Sequence, residues 1–186
     1  FLAEGEFVRE AAAQCRPILC GDLGCNSGEL TAIASAHATN VVACDLDESV
    51  VEMLGARRLG NVLPLCMDLM NPTPFYGWEN TERSPFLSRI KHADLVLALA
   101  LVHHLCIGGN VPLARLARFF SGFSRHLVTE FVPKHDPQVT RLLVSRRDIF
   151  PDYTLEEFRA AFGKYFTTKK ELRVPGSDRV LFLMQR

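Results

Sequence analysis

The stretch Cys20-Gly21-Asp22-Leu23-Gly24-Cys25-Asn26-Ser27-Gly28-Glu29-Leu30 decides how this chain folds. It follows the apolar pair Ile18-Leu19 and precedes a run with helical character, Thr31 to His37. An apolar strand, a glycine-bearing turn and a helix in that order read as the opening unit of a sheet with crossover helices. Gly24 lets backbone approach a bound molecule with no side chain between, and Gly28 allows the helix start to pack closely. Asn26 is among the few non-glycine residues that tolerate positive φ. In a doubly wound sheet the ligand sits outside the carboxyl ends of the strands, so the turn after the first strand faces it.

Outward from this turn the chain alternates. Helix Glu4–Cys15, stopped by Pro17, precedes strand Ile18–Asp22. Helix Gly28–His37 leads to strand Asn40–Asp45, and helix Ser49–Leu59 to strand Val62–Cys66. Strand Ala93–Ala100 precedes helix Val111–Ser121, and strand His126–Phe131 precedes helix Leu155–Phe162. The strands are continuous apolar runs, the pattern of a parallel sheet covered on both faces. Tyr165–Val174 and Arg179–Met184, joined by Pro175-Gly176-Ser177-Asp178, read as an antiparallel hairpin. The expectation is an α/β protein: a doubly wound, seven-stranded, mostly parallel sheet ending in that hairpin, with residues 1–186 as one domain. Asn71 to Arg89 carries Pro, Gly, Trp and mixed charges without periodicity and reads as a long connection.

Composition bounds the function. Lys+Arg and Asp+Glu are both 21, so the positive field that marks a nucleic-acid binder is missing, and a nucleic-acid partner is disfavoured. No run approaches the roughly 20 apolar residues of a membrane span. Six cysteines show no framework spacing and no Cys-x-x-Cys pair; reduced, mostly buried thiols in a cytoplasmic protein are expected. His103, His104 and Cys106 lack a fourth ligand at a recognisable spacing, so no metal site is expected. Residue 1 is Phe, which leaves room for a missing N-terminal element.

The glycines discriminate among ligands. A dinucleotide fingerprint needs Gly-x-Gly-x-x-Gly, whereas here the spacing is Gly21-x-x-Gly24-x-x-x-Gly28, which disfavours a nicotinamide oxidoreductase. No Gly-Lys-Ser/Thr follows, so the phosphate loop fails too. Asp22-x-Gly24-x-Asn26-x-Gly28 instead resembles the first motif of class I S-adenosylmethionine-dependent methyltransferases, with Asn26 in place of the middle glycine. Asp45 ends the second strand roughly 20 residues after Gly24, where a carboxylate can accept both hydroxyl hydrogens of a ribose; Asp47 is a second candidate. Asp68 follows the third strand, where this family places an acid at the adenine amino group, and the fourth strand's end resembles the motif that passes beneath the methionine part. The resemblance implies S-adenosyl-L-methionine as cofactor, held by Asp22, Gly24, Asn26, Gly28, Asp45, Leu46, Asp68, Leu69 and Ala100. The segments Phe75 to Arg83, Ala98 to Leu105 and Glu130 to Lys134 are also similar to a bacterial methyltransferase group that includes nodulation-protein-like members.

In such an enzyme the chain aligns an acceptor with the methyl and helps remove its proton. His103 and His104, just past the fourth strand, are candidate bases, as is Glu130 at the end of the fifth. The competing readings are a carbonyl cap or helix-packing role for the histidines and an arginine partner for Glu130. His135 and Asp136 read as turn residues, Tyr76, Trp78 and Arg83 as core or lid, and Lys134, Arg141, Arg146 and Arg147 as a solvated helix face. Asn/Asp-Pro-Pro-aromatic, the mark of base N-methylation, is absent after the fourth strand, where Leu101-Val102-His103-His104 stands. The expected activity is O- or N-methylation of a small molecule or biosynthetic intermediate. RNA or protein methylation and a non-catalytic adenosylmethionine-binding domain are the alternatives.

Overall fold

The computed structural model describes residues 2–144 and 146–186. Seven strands form one sheet: β1 (Leu19–Leu23), β2 (Asn40–Asp45), β3 (Val62–Cys66), β4 (Ala93–Ala98), β5 (Ser124–Phe131), β6 (Thr167–Arg173) and β7 (Val180–Gln185). Their order is β3-β2-β1-β4-β5-β7-β6. β1 pairs in parallel with both β2 and β4, so strand order reverses beside β1, and the turn quoted above stands at that reversal. The β5–β7 and β6–β7 pairs are antiparallel, as expected for the terminal hairpin.

The helices are α1 (Leu2–Cys15), α2 (Glu29–Ser35), α3 (Glu48–Ala56), α4 (Phe86–Arg89), α5 (Leu113–Ser121), α6 (Pro137–Val144) and α7 (Leu155–Gly163). Phe7 and Val8 of α1, Ala34 of α2 and Leu54 of α3 share one core with Leu95 and Leu97 of β4. Phe120 of α5 and Phe158 and Phe162 of α7 share the other with Val96 and Phe182. The Phe158 and Phe162 rings stack at 4.2 Å, and Phe182 lies 5.0 Å from Phe158. Truncating one such ring to alanine costs about 3–5 kcal/mol. The middle strand β4 is buried on both faces, which is why its sequence is apolar without alternation.

Several boundaries differ from expectation for local reasons. Ile18 is exposed and outside β1; instead, the Asp94 carboxylate accepts from the N–H groups of Ile18 (2.9 Å) and Leu19 (3.1 Å), tying the start of β1 to β4. α5 begins at Leu113 because Pro112 holds an extended ψ before it. Cys66 is exposed and Cys15 half-buried, because β3 is an edge strand and α1 a surface helix; the other four thiols are buried, and all six are free. Tyr76 and Trp78, read as core or lid, are solvent-exposed, in a small loop closed by reciprocal Tyr76–Arg83 backbone bonds of 3.1 and 3.0 Å. Among the described residues no helix is long and apolar enough to cross a membrane.

Candidate functional site

A cleft of about 820 Å³ opens across the carboxyl ends of β1 to β4. That volume lies within the roughly 300–1,000 Å³ usual for small-molecule sites. Its rim holds Asp22, Gly24, Asn26, Asp45, Leu46, Asp68, Leu69, Ala100 and His104, so most of the residues singled out in the sequence meet in one place.

The turn after β1 is shaped by three positive φ angles, at Gly24 (80°), Asn26 (48°) and Gly28 (79°). Gly24 and Cys25 donate their N–H groups to Cys44 O at 2.8 and 3.0 Å, which binds the turn to the end of β2. A Cβ at Gly24 would stand 3.4 Å from Leu101 Cδ1, an ordinary contact, so it is the left-handed φ and not crowding by the loop after β4 that calls for glycine. Gly28 does not line the cleft. It caps α2, where a Cβ would press on Leu54, within 3.0 Å of Cγ and 3.2 Å of Cβ.

Asp45 is held by backbone. Its Oδ2 accepts from Asn26 N–H at 2.9 Å and its Oδ1 from Asp47 N–H at 3.1 Å. A carboxylate has about four acceptor positions, so two remain for a ligand with paired hydroxyls. Asp68 is arranged similarly, accepting from Met70 N–H at 2.8 Å. Asp47 spends its side chain on α3, accepting from Ser49 N–H at 2.9 Å and Ser49 Oγ–H at 2.6 Å. Asp22 lies deeper and accepts from Thr31 Oγ1–H at 2.6 Å. Burial raises its pKa to about 6; the Thr31 bond opposes that rise and the Asp45 charge adds to it.

The two histidines part ways. Adjacent residues in a helical turn point about 100° apart, and here His104 but not His103 lines the cleft, although their ring centroids lie 4.4 Å apart. His104 opens a π turn, His104–Gly108, and lines the cleft, exposed to solvent. Its partial desolvation lowers its pKa, with Asp45 opposing. His103 is fully buried and outside the cleft lining, and neither ring nitrogen finds a hydrogen-bond partner among the described residues. Burial, with smaller contributions from His104 and Arg179, pulls its pKa down to about 4 against the Asp136 charge and the neighbouring Gln138 side chain, which lies outside hydrogen-bond geometry, and keeps the ring neutral.

Of the two readings of Glu130, pocket base or arginine partner, the geometry matches the second. Its carboxylate is buried beneath the floor, where Oε2 accepts from Ala100 N–H at 2.8 Å and Oε1 lies 3.6 Å from Arg179 Nη1. Burial raises its pKa, while the Arg179 charge and the Ala100 N–H oppose that. Asp136, read as a turn residue, is buried; Arg179 donates to it from Nε at 2.7 Å and Nη2 at 3.0 Å, which lowers its pKa. Ala100 itself carries φ 48°. The left-handed region costs an alanine about 1–2 kcal/mol, and a hydrogen bond to a charged group returns about 1.5–3. The Glu130 bond is therefore of the same size as the strain it accompanies.

Sequence reasoning missed several contributors. Gln138, from the first turn of α6, lines the cleft with no motif to announce it. A Cβ at Gly109 would lie 2.6 Å from Met70 Sδ, so the loops after β3 and β4 meet at the cleft, which both residues line. Of the residues read as a solvated helix face, Arg141, Arg146 and Arg147 are exposed; Lys134 pairs with Asp148 at 2.9 Å, and Arg146 donates to Ile107 O and Gly108 O.

No protein-family model matches the chain. It is 38% identical to nodulation protein NoeA of Rhizobium meliloti (strain 1021) over 98% of its own length, and spans 39% of that relative. Among solved structures it resembles the N-methyltransferase NodS from Bradyrhizobium japonicum WM9 in complex with S-adenosyl-l-homocysteine, with TM-score 0.68, 10% identity, 99% of this chain and 86% of that one. It also resembles magnesium protoporphyrin IX methyltransferase (ChlM) from Synechocystis PCC 6803 with bound SAM, with TM-score 0.60, 18% identity, 100% of this chain and 81% of that one. The described chain thus has the Rossmann-like fold of these S-adenosylmethionine-dependent methyltransferases, with its cleft at the strand-order reversal where that fold takes its ligands.

Proposed function

We propose that this chain is a methyltransferase that binds S-adenosyl-L-methionine and methylates a hydroxyl or amine of a small molecule or biosynthetic intermediate. One observation carries the reading: the glycine turn after β1 and the Asp45 and Asp68 carboxylates share one cleft with lone pairs to spare. The cofactor would supply a sulfonium-activated methyl group. Asp45 would accept the two ribose hydroxyls, and Asp68 the amino hydrogens of the adenine. Gly24 and Asn26 bring bare backbone alongside, while Leu99, Ala100 and Leu101 form the floor. His104 is the proposed base. Its lowered pKa keeps an imidazole nitrogen free at neutral pH to take the acceptor's proton. His103 and Glu130 are not assigned that task, because neither lines the cleft. Residues 1–186 would act as one unit, and four buried free thiols suit the reducing cytoplasm.

Calorimetry with S-adenosylmethionine, S-adenosylhomocysteine and NAD tests the reading. Binding of the first two and not of NAD is expected, and Asp45→Ala should weaken it by about 1–3 kcal/mol. Tight NAD binding with no adenosylmethionine heat ends the proposal. Once an acceptor is in hand, His104→Ala should lower kcat with little change in cofactor affinity. Full turnover in that variant would remove His104 as the base.

A further inference from the structure

Ala100 is an anomaly at the heart of the cleft. It follows β4, lies between Leu99 and Leu101 on the floor, and holds φ 48° although it is neither glycine nor asparagine. A bulkless residue that needs a left-handed backbone is normally glycine, so something must hold this alanine. Its N–H points to Glu130 Oε2, 2.8 Å away, at the end of β5. Glu130 faces Arg179, the residue before β7, and Arg179 is gripped through two nitrogens by Asp136, just ahead of α6. A two-point guanidinium–carboxylate grip fixes orientation as well as charge. The register continues the line, with Glu130 opposite Leu181 and Phe131 opposite Val180.

We propose that Glu130, Arg179 and Asp136 form a positioning clamp that holds Ala100 in its left-handed conformation and thereby sets the cleft floor on which the cofactor and acceptor meet. The C-terminal hairpin then has a task in the site although none of its residues lines the cleft. Through Ala100 the clamp also places Leu101, the side chain that packs against the Gly24 turn. The two cleft walls are thus set against each other through a buried carboxylate and its half-buried arginine partner. Glu130 touches no reacting atom in this scheme. It is a positioning residue, and the inference rests on the methyltransferase reading only for what the floor receives.

The test compares Glu130→Leu, which removes the acceptor, with Glu130→Gln, whose amide oxygen can still take the Ala100 N–H. Each is made alone and with Ala100→Gly, since glycine adopts this backbone without help. Calorimetric affinity for S-adenosylhomocysteine is the first readout, with circular dichroism confirming the fold. Glu130→Leu should weaken binding about tenfold and Glu130→Gln by less than about threefold. In the Ala100→Gly background the leucine penalty should shrink to below about threefold, a coupling that loss of packing alone would not produce. Affinity within about twofold of the parent in folded Glu130→Leu, or an equal loss in both backgrounds, overturns the clamp. Should Glu130→Leu fail to fold, Asp136→Asn frees Arg179 while leaving Glu130 in place. An intermediate loss is then expected, and an unchanged affinity refutes the proposal.

The Ala100 amide proton gives a second readout that needs no cofactor. It should resonate well downfield and move upfield in Glu130→Leu, or in part with Asp136→Asn, and much less in Glu130→Gln. A parent protein that binds no S-adenosylhomocysteine would refute the proposed function and leave the amide shift to decide the clamp. An ordinary parent shift that ignores these substitutions would overturn the clamp whatever binds.

Discussion

On the β1 to β3 side of the sheet's carboxyl edge, Asp45 and Asp68 are half-buried, braced by loop N–H groups and open to the cleft. On the β4 to β7 side, Glu130 and Asp136 are buried and spend their oxygens on Ala100 N–H and Arg179. Four carboxylates lie along one edge, yet the two pairs do opposite work. A partly solvated carboxylate keeps lone pairs for a ligand at small cost. A buried one loses its hydration and must be compensated by charge and hydrogen bonds from the protein. One flank therefore leaves carboxylate oxygens open to the cleft, and the other spends them on the Ala100 N–H and Arg179.

The largest effect that would sharpen this comparison is expected at Gly28, which sits on the open flank but does not line the cleft. Gly28→Ala would force a left-handed alanine, at about 1–2 kcal/mol, and press a methyl into Leu54, at about 1–3 more. Urea unfolding should register a loss of up to about 5 kcal/mol, the sum of those two. A loss below about 1 kcal/mol would mean that Leu54 yields and that the turn owes its shape to something else.

His103 offers the next largest effect, on the other flank. Its folded pKa of about 4 lies below the ordinary 6.5, so between those values the unfolded chain takes up a proton that the folded chain refuses. Its contribution is complete above about pH 6.5 and falls away as the pH drops towards 4, by about 3 kcal/mol in all. Asp22 works in the opposite sense. Its folded pKa of about 6 exceeds 3.8, so its penalty at high pH is relieved as the pH falls through that window. The two partly cancel in the parent protein, and the His103 share is read as a difference. Stability of His103→Leu relative to the parent should rise steadily from pH 6.5 to 4. A flat difference would show that the buried ring is not held neutral.

The smallest expected effect separates two aspartates of the open flank. Asp47→Ala removes the cap of α3 and should cost about 1 kcal/mol of stability, with Asp47→Ser recovering most of it. A loss of cofactor affinity as large as that of Asp45→Ala, without the stability loss, would exchange the roles of the two residues.

Legibility followed the same division. Asp45 and Asp68 were readable because each ends or follows a strand, and position along a strand survives in the sequence. Glu130 occupies an equivalent place on β5, so the same reasoning left two readings open, a pocket base or an arginine partner. The structure turns it under the floor, because Arg179 immediately precedes β7, a strand that pairs with β5 only after the chain has folded. The histidine pair was ambiguous for a related reason. A helical turn separates their directions by about 100° but does not say which one meets the core. Trp78 shows the converse, an apolar side chain that no neighbouring segment covers.

The seven strands in chain order, the helices α1, α2, α3, α5 and α7, the glycine turn and the terminal hairpin were determined by the sequence alone, since they depend on local backbone preference and on hydrophobic runs of the right length; α4, α6 and the π turn were not. Only tertiary structure decided which carboxylates stay open and which are locked away, that His104 and not His103 reaches the cleft, and that Ala100 holds a left-handed turn. Burial and pairing are made by segments far apart in the chain, and the free energy of a charged or strained group is set by those neighbours, not by the residues beside it in sequence.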